Sequence, residues 1–169
     1  MATLYTYAEM VTDVTNFIPS YKLIDQYLGL YFEVLAISGL RITELIETSR
    51  FTFQYPSGEP QCYVSTLKGS NARDFPASFF PSLFYEKVLA NANYFTHVNA
   101  STISFQFKKY FPKKPIKHGD KNLTGSFFRH YFAKKMKNEG YTDLEIKMFF
   151  GEIDQRNMDN YIYSDLYWG

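Results

Sequence analysis

Apolar side chains recur at helical spacing through residues 21–37, at Leu23, Ile24, Tyr27, Leu28, Tyr31, Val34 and Leu35, and Gly39 then breaks the pattern. An amphipathic helix ends where glycine can take a backbone conformation that other residues avoid, and Thr43 to Glu47 reads as the start of the next helix. The junction spells Ile37-Ser38-Gly39-Leu40-Arg41-Ile42-Thr43-Glu44-Leu45, which sets an arginine and a glutamate just past a helix end. The periodicity then changes. Residues 51–55 alternate as a strand does, Pro56-Ser57-Gly58 marks a turn, and residues 61–67 form a second strand candidate. Lys68-Gly69-Ser70-Asn71 reads as a hairpin turn, with Ala72 to Phe75 returning as a third strand. Beyond Pro76 the spacing is helical at 81–93, 101–110, 125–139, 142–150 and 155–163. Ser101 or Thr102 suits a helix start, and Thr142 with Glu145 forms a capping box. Pro112 to Lys121 reads as a basic loop. The expected fold is therefore mainly α with a small antiparallel β-sheet (α+β). Residues 1–20 are an N-terminal segment or linker and 21–169 one domain.

A chain of 169 residues is long enough to bury a substantial core. No stretch approaches the ~20 apolar residues that a membrane span requires, so no membrane partner is expected. Met1-Ala2-Thr3-Leu4-Tyr5 lacks the basic start of a secretory signal. The single cysteine, Cys62, excludes an internal disulfide framework and a Cys-based zinc site. These features point to an intracellular protein, cytoplasmic or nucleoid-associated in a prokaryote or virus and nuclear in a eukaryote. The net charge of +1 hides a strong asymmetry. Residues 1–100 carry 6 basic and 9 acidic side chains, 101–140 carry 10 and 2, and 141–169 carry 2 and 6. A basic block inside a near-neutral chain is either a nucleic-acid surface or a solvated lysine-rich face.

A second frame falls in that block: Thr124-Gly125-Ser126-Phe127-Phe128-Arg129-His130-Tyr131-Phe132-Ala133. Cutting a phosphodiester needs a nucleophile, stabilisation of the non-bridging oxygens and a proton for the leaving oxygen. Arginine donates two hydrogen bonds to phosphate and keeps its charge, so Arg41 and Arg129 suit the second task. A tyrosine such as Tyr161 can attack phosphorus and conserve the bond as a phosphotyrosine. A lysine on a turn, Lys68, can protonate the leaving oxygen. Singly, each is an ordinary surface or core residue; the ordered set carries the reading. Such chemistry calls for no metal and no cofactor.

The order and spacing over roughly residues 20–163 resemble the catalytic domain of tyrosine recombinases, the phage integrase family. Ser38-Gly39-Leu40-Arg41-Ile42-Thr43-Glu44-Leu45 is similar to the family's Thr-Gly-Leu-Arg-Ile-Ser-Glu-Leu. The resemblance implies that Arg41 is the first catalytic arginine, with Glu44 supporting the site. Leu67 to Pro76 resembles the β-hairpin that carries the catalytic lysine, here Lys68. Arg129 maps to the second arginine and is followed by His130, which supports the site. Phe149-Phe150-Gly151 matches the Leu-Leu-Gly before a further site position, Glu152, and Tyr161 falls nine residues beyond it, the nucleophile's spacing. Tyr163 and Tyr167 are its rivals. The implied reaction is transesterification through a 3′-phosphotyrosine and a free 5′-hydroxyl, on double-stranded DNA, by a homo-oligomer assembled on that DNA.

Two site positions depart from the family. Ser126 stands where histidine is usual, and Glu152 where histidine or tryptophan is usual. A carboxylate about 4 Å from a phosphate would be repelled by roughly 4 kcal/mol at an effective dielectric near 20. Two further readings follow: a recombinase-like DNA-binding protein that has lost cleavage, and a type IB topoisomerase or telomere-resolvase-like strand transferase. The family's N-terminal DNA-clamping domain is not represented in residues 1–20, and the apolar tail Leu166-Tyr167-Trp168 packs either in cis or on a partner. Lys108, Lys109, Lys113, Lys114, Lys117 and Lys134 are the expected contacts to the DNA backbone, positioning the protein without reading sequence.

Overall fold

The computed structural model describes residues 2–46, 51–54, 61–64, 73–76, 79–84, 98–117, 121–151 and 155–169. Helix α1 (Tyr7–Lys22) follows a short strand, β1 (Thr3–Tyr5). Thr6 and Glu9 form a capping box, each side chain bonding the other's backbone N–H at 3.2 Å. Met10, Val14, Phe17 and Tyr21 then line one helical face and enter the core. Residues 3–20, within the stretch 1–20 expected to be an N-terminal segment or linker, thus share a core with the helices that follow. The sequence reading also starts the next helix too early. Leu23 and Ile24 sit in a turn, 91% and 55% exposed, and Asp25 caps α2 (Gln26–Ser38) by accepting from the N–H groups of Tyr27 and Leu28.

Helix α2 ends at Gly39, whose φ of 68° is left-handed. A β-carbon there would also lie 2.7 Å from the Phe132 ring. Arg41 then leads into α3 (Ile42–Ile46). The anticipated three-stranded antiparallel sheet follows as β2 (Phe51–Gln54), β3 (Gln61–Val64) and β4 (Arg73–Pro76), with Phe51 opposite Val64 and Val64 opposite Arg73. Of the helix expected over 81–93, residues 81–84 are described; 82–84 are helical and Phe84 is buried, as is Phe80 just before them.

The helices α4 (Ala100–Tyr110), α5 (Phe127–Asn138), α6 (Asp143–Phe150) and α7 (Gln155–Tyr163) agree with the periodicity to within two residues. Asn99, rather than Ser101 or Thr102, caps α4, and Thr142 with Glu145 caps α6. The supposed basic loop is partly strand: β5 (Pro115–Lys117) pairs with β6 (Lys121–Asn122). The C-terminal β7 (Leu166–Trp168) lies between β1 and β5, placing Tyr167 opposite Leu4 on one side and Ile116 on the other. The tail therefore docks in cis. Asp13 secures this corner, accepting from Tyr5 Oη at 2.6 Å and Lys113 Nζ at 2.7 Å, while that ammonium also faces the Tyr5 and Trp168 rings.

Among the described residues, two apolar clusters result. In the larger, Phe17 meets Phe32, Phe107 and Phe111 edge-on with centroids 5.0–5.9 Å apart, a geometry worth ~0.5–1.5 kcal/mol per pair beyond burial. The smaller joins Phe132, Ala133 and Met136 of α5 to Ile146 and Phe150 of α6 and Met158 and Ile162 of α7. It supports the C-terminal helix and the tyrosine on it.

Candidate active site

Arg129 lies on the first turn of α5 and is only 2% exposed. Its Nη1 donates to the Gly39 carbonyl at 2.6 Å, tying α5 to the turn that ends α2. The guanidinium carbon lies 4.6 Å from the Phe150 ring centroid and 4.9 Å from that of Tyr161. Gly39 thus serves the site twice. Its positive φ turns the chain toward Arg41, and its carbonyl holds Arg129.

Arg41 is the more open of the two arginines, its side chain 30% exposed. Glu44 beneath it is fully buried. Its Oε1 accepts the Arg41 backbone N–H at 2.9 Å, and its Oε2 lies 3.9 Å from Arg41 Nη1. The carboxylate thus closes the start of α3 and faces the arginine above it.

Tyr161 is partly buried on α7. Its ring stacks on Phe150 at 5.8 Å and meets His130 edge-on at 4.8 Å. The two rivals are engaged elsewhere. Tyr163 donates to the Asp143 carboxylate at 2.7 Å, and Tyr167 belongs to β7. Of the three, Tyr161 has the Arg129 contact. His130 is buried beside it, and burial, followed by the charges of Lys117 and Lys134, depresses its pKa to about 3; a hydrogen bond with the Tyr161 backbone opposes the shift. The imidazole is therefore neutral at physiological pH. Ser126 is the N-cap residue of α5, but its hydroxyl makes no capping bond. Its backbone carbonyl accepts from the Arg129 N–H at 3.1 Å. Lys68 and Glu152 lie outside the described residues.

The basic block divides by role. Lys108, Lys109 and Lys114 are exposed, and Lys108 and Lys114 line a cleft of about 380 Å³ together with Asn122 and Thr124. The other three expected DNA contacts face protein groups. Lys113 pairs with Asp13. Lys117 is buried and donates to Asn160 Oδ1. Lys134 Nζ donates to the backbone carbonyls of Ile162 at 3.1 Å and Ser164 at 2.7 Å. The sequence reading missed these partners, and it also missed Phe150 and the Gly39 carbonyl as neighbours of Arg129. No local spacing signals any of these contacts, because each joins elements far apart in the chain. Among the described residues, no cluster of His, Cys, Asp and Glu has the makings of a metal site, and no helix is long and apolar enough to cross a membrane.

No family model matches this chain, and no curated protein matches it in sequence. Among solved structures it is similar to the crystal structure of XerA recombinase, with a TM-score of 0.63 and 19% sequence identity. The match covers 90% of this chain and 58% of that one. The likeness shows the fold: a mainly helical recombinase catalytic fold with a small antiparallel sheet.

Proposed function

We propose that this chain is the catalytic domain of a site-specific DNA recombinase or integrase that cuts and rejoins double-stranded DNA through a 3′-phosphotyrosine. The observation that carries this reading is the placing of Tyr161 against Arg129, with Arg129 bonded to the backbone two residues before Arg41. A phosphate bound between the two arginines would meet fixed cationic donors in a partly dehydrated setting, the arrangement that most stabilises charge in a transition state. Tyr161 Oη then bonds to phosphorus as the phosphorus–O5′ bond breaks. The phenol proton is released, and Lys68 delivers a proton to the leaving 5′-oxygen. A second 5′-hydroxyl reverses these steps and frees the tyrosine, so bond energy is conserved and no cofactor is consumed. Lys108, Lys109 and Lys114 supply exposed charge for backbone phosphates. Assembly of several copies on DNA belongs to the same reading.

A second reading is a recombinase-like DNA-binding protein without cleavage, favoured by a hydroxyl at Ser126 and a carboxylate at Glu152 where the family carries phosphate-binding groups. A nicked-duplex suicide substrate separates the two. Covalent adduct formation, abolished by Tyr161→Phe with DNA affinity retained, is the expected result. Failure to form an adduct on DNA that the protein binds would favour the non-cleaving module. Relaxation of supercoiled plasmid without exchange between two sites would favour a topoisomerase-like transferase.

A further inference from the structure

We propose that Lys117 and Lys134 are positioning residues that fix the register of helix α7, and with it the place of Tyr161 against Arg129. The inference rests on the function proposed above. Three residues from outside α7 reach its C-terminal half and the residue that follows it. Lys117, on β5, donates to the side-chain oxygen of Asn160. His130, on α5, meets the Tyr161 ring edge-on at 4.8 Å. Lys134, one helical turn further along α5, donates to the carbonyls of Ile162 and Ser164. These contacts bracket Tyr161 on both sides in sequence.

Helix α7 has nine residues, well below the ~12–15 at which an isolated helix becomes even marginal in water. Its place is therefore set by what it packs on. Met158 and Ile162 choose the buried face, but apolar contact is non-directional and tolerates sliding along the axis. A slip of one residue would turn a helical side chain by about 100° and carry the Tyr161 ring away from Arg129. Hydrogen bonds to particular carbonyls do not tolerate that slip. The last carbonyls of a helix lack intrahelical partners and lie at its negative end, so an ammonium there satisfies both needs. Lys117 is 8% exposed and Lys134 half-buried, so their ammonium groups are set apart from the solvated lysines of α4. Burying an ammonium is unfavourable unless specific partners meet it, and Asn160, Ile162 and Ser164 are among the groups that meet these two.

The test uses the whole chain and two readouts. Single-turnover adduct formation on the nicked duplex, at saturating DNA, reports the position of the nucleophile. Amide hydrogen exchange across residues 156–164 reports how α7 is held, with or without cleavage. Lys134→Met keeps the length of the stem and removes the donors; Asn160→Ala removes the Lys117 acceptor from the exposed side and leaves the buried lysine in place. Each is expected to slow adduct formation at least tenfold, with DNA affinity changed less than threefold and exchange accelerated in α7 but not in α2. Lys134→Arg is expected to recover most of the rate. The proposal is overturned if parent and both variants form adduct at the same rate, or if exchange in α7 is unchanged. A parent chain that forms no adduct would overturn the proposed function instead, with exchange alone still deciding whether the lysines hold the helix.

Discussion

At the scale of single residues, His130 has the most legible thermodynamic consequence. An unfolded histidine titrates near 6.5, whereas burial and the nearby lysines hold His130 at about 3 in the folded chain. Between those values the unfolded chain binds more protons than the folded one, so folding stability rises with pH across that window. The contribution is fully present above pH ~6.5 and is lost as pH falls toward 3. His130→Gln is expected to flatten this dependence between pH 4 and 6.5, as read by urea midpoints in that range. An unchanged slope would show that other groups carry it. The identity of such residues was plain in sequence, but their state was not. Arg129 followed by His130 reads as a motif, yet the burial of the one and the neutrality of the other come from Phe150, Tyr161, Lys117 and Lys134, at least four positions away in the chain.

At the scale of elements, caps decide the boundaries. Thr142–Glu145 was legible because the two halves of the box lie three residues apart and precede an apolar run. Thr6–Glu9 carries the same signature, and Met10, Val14, Phe17 and Tyr21 follow at helical spacing, so α1 could have been read as well. Pro19 within it and the β-branched residues before it weaken the pattern. Leu23 and Ile24 misled in the opposite direction, since apolar spacing continued through a turn that Asp25 terminates. Gly39 is the element-scale position with the sharpest requirement. Gly39→Ala would place a β-carbon in a left-handed residue, costing about 1–2 kcal/mol, and would press it on Phe132. With overpacking of ~1–3 kcal/mol added, equilibrium unfolding should show a loss of at least ~2 kcal/mol. A loss of a few tenths would mean that the turn relaxes. Because Arg129 bonds the Gly39 carbonyl, adduct formation should fall further than stability alone explains.

At the scale of the whole molecule, β7 joins the two ends of the chain. It is the only described strand that pairs with both β1 and β5, and its Trp168 faces the Lys113–Asp13 pair. Removing residues 166–169 should leave β1 unpaired, lower the thermal midpoint by several degrees and raise protease cleavage within residues 2–6. Retention of the parent midpoint would show that the larger aromatic core holds α1 unaided. Periodicity by itself determined the helices of the C-terminal half, the three-stranded sheet and the two arginine frames, because each is written in residues within a turn or a hairpin of one another. The second sheet, the cis docking of the tail, the division of the lysines and the meeting of Tyr161 with Arg129 were decided only by the tertiary structure. Three-residue strands carry too little alternation to read. A lysine's sequence neighbours do not reveal whether its ammonium meets water, a carboxylate or the end of a distant helix; that depends on which elements the core brings side by side.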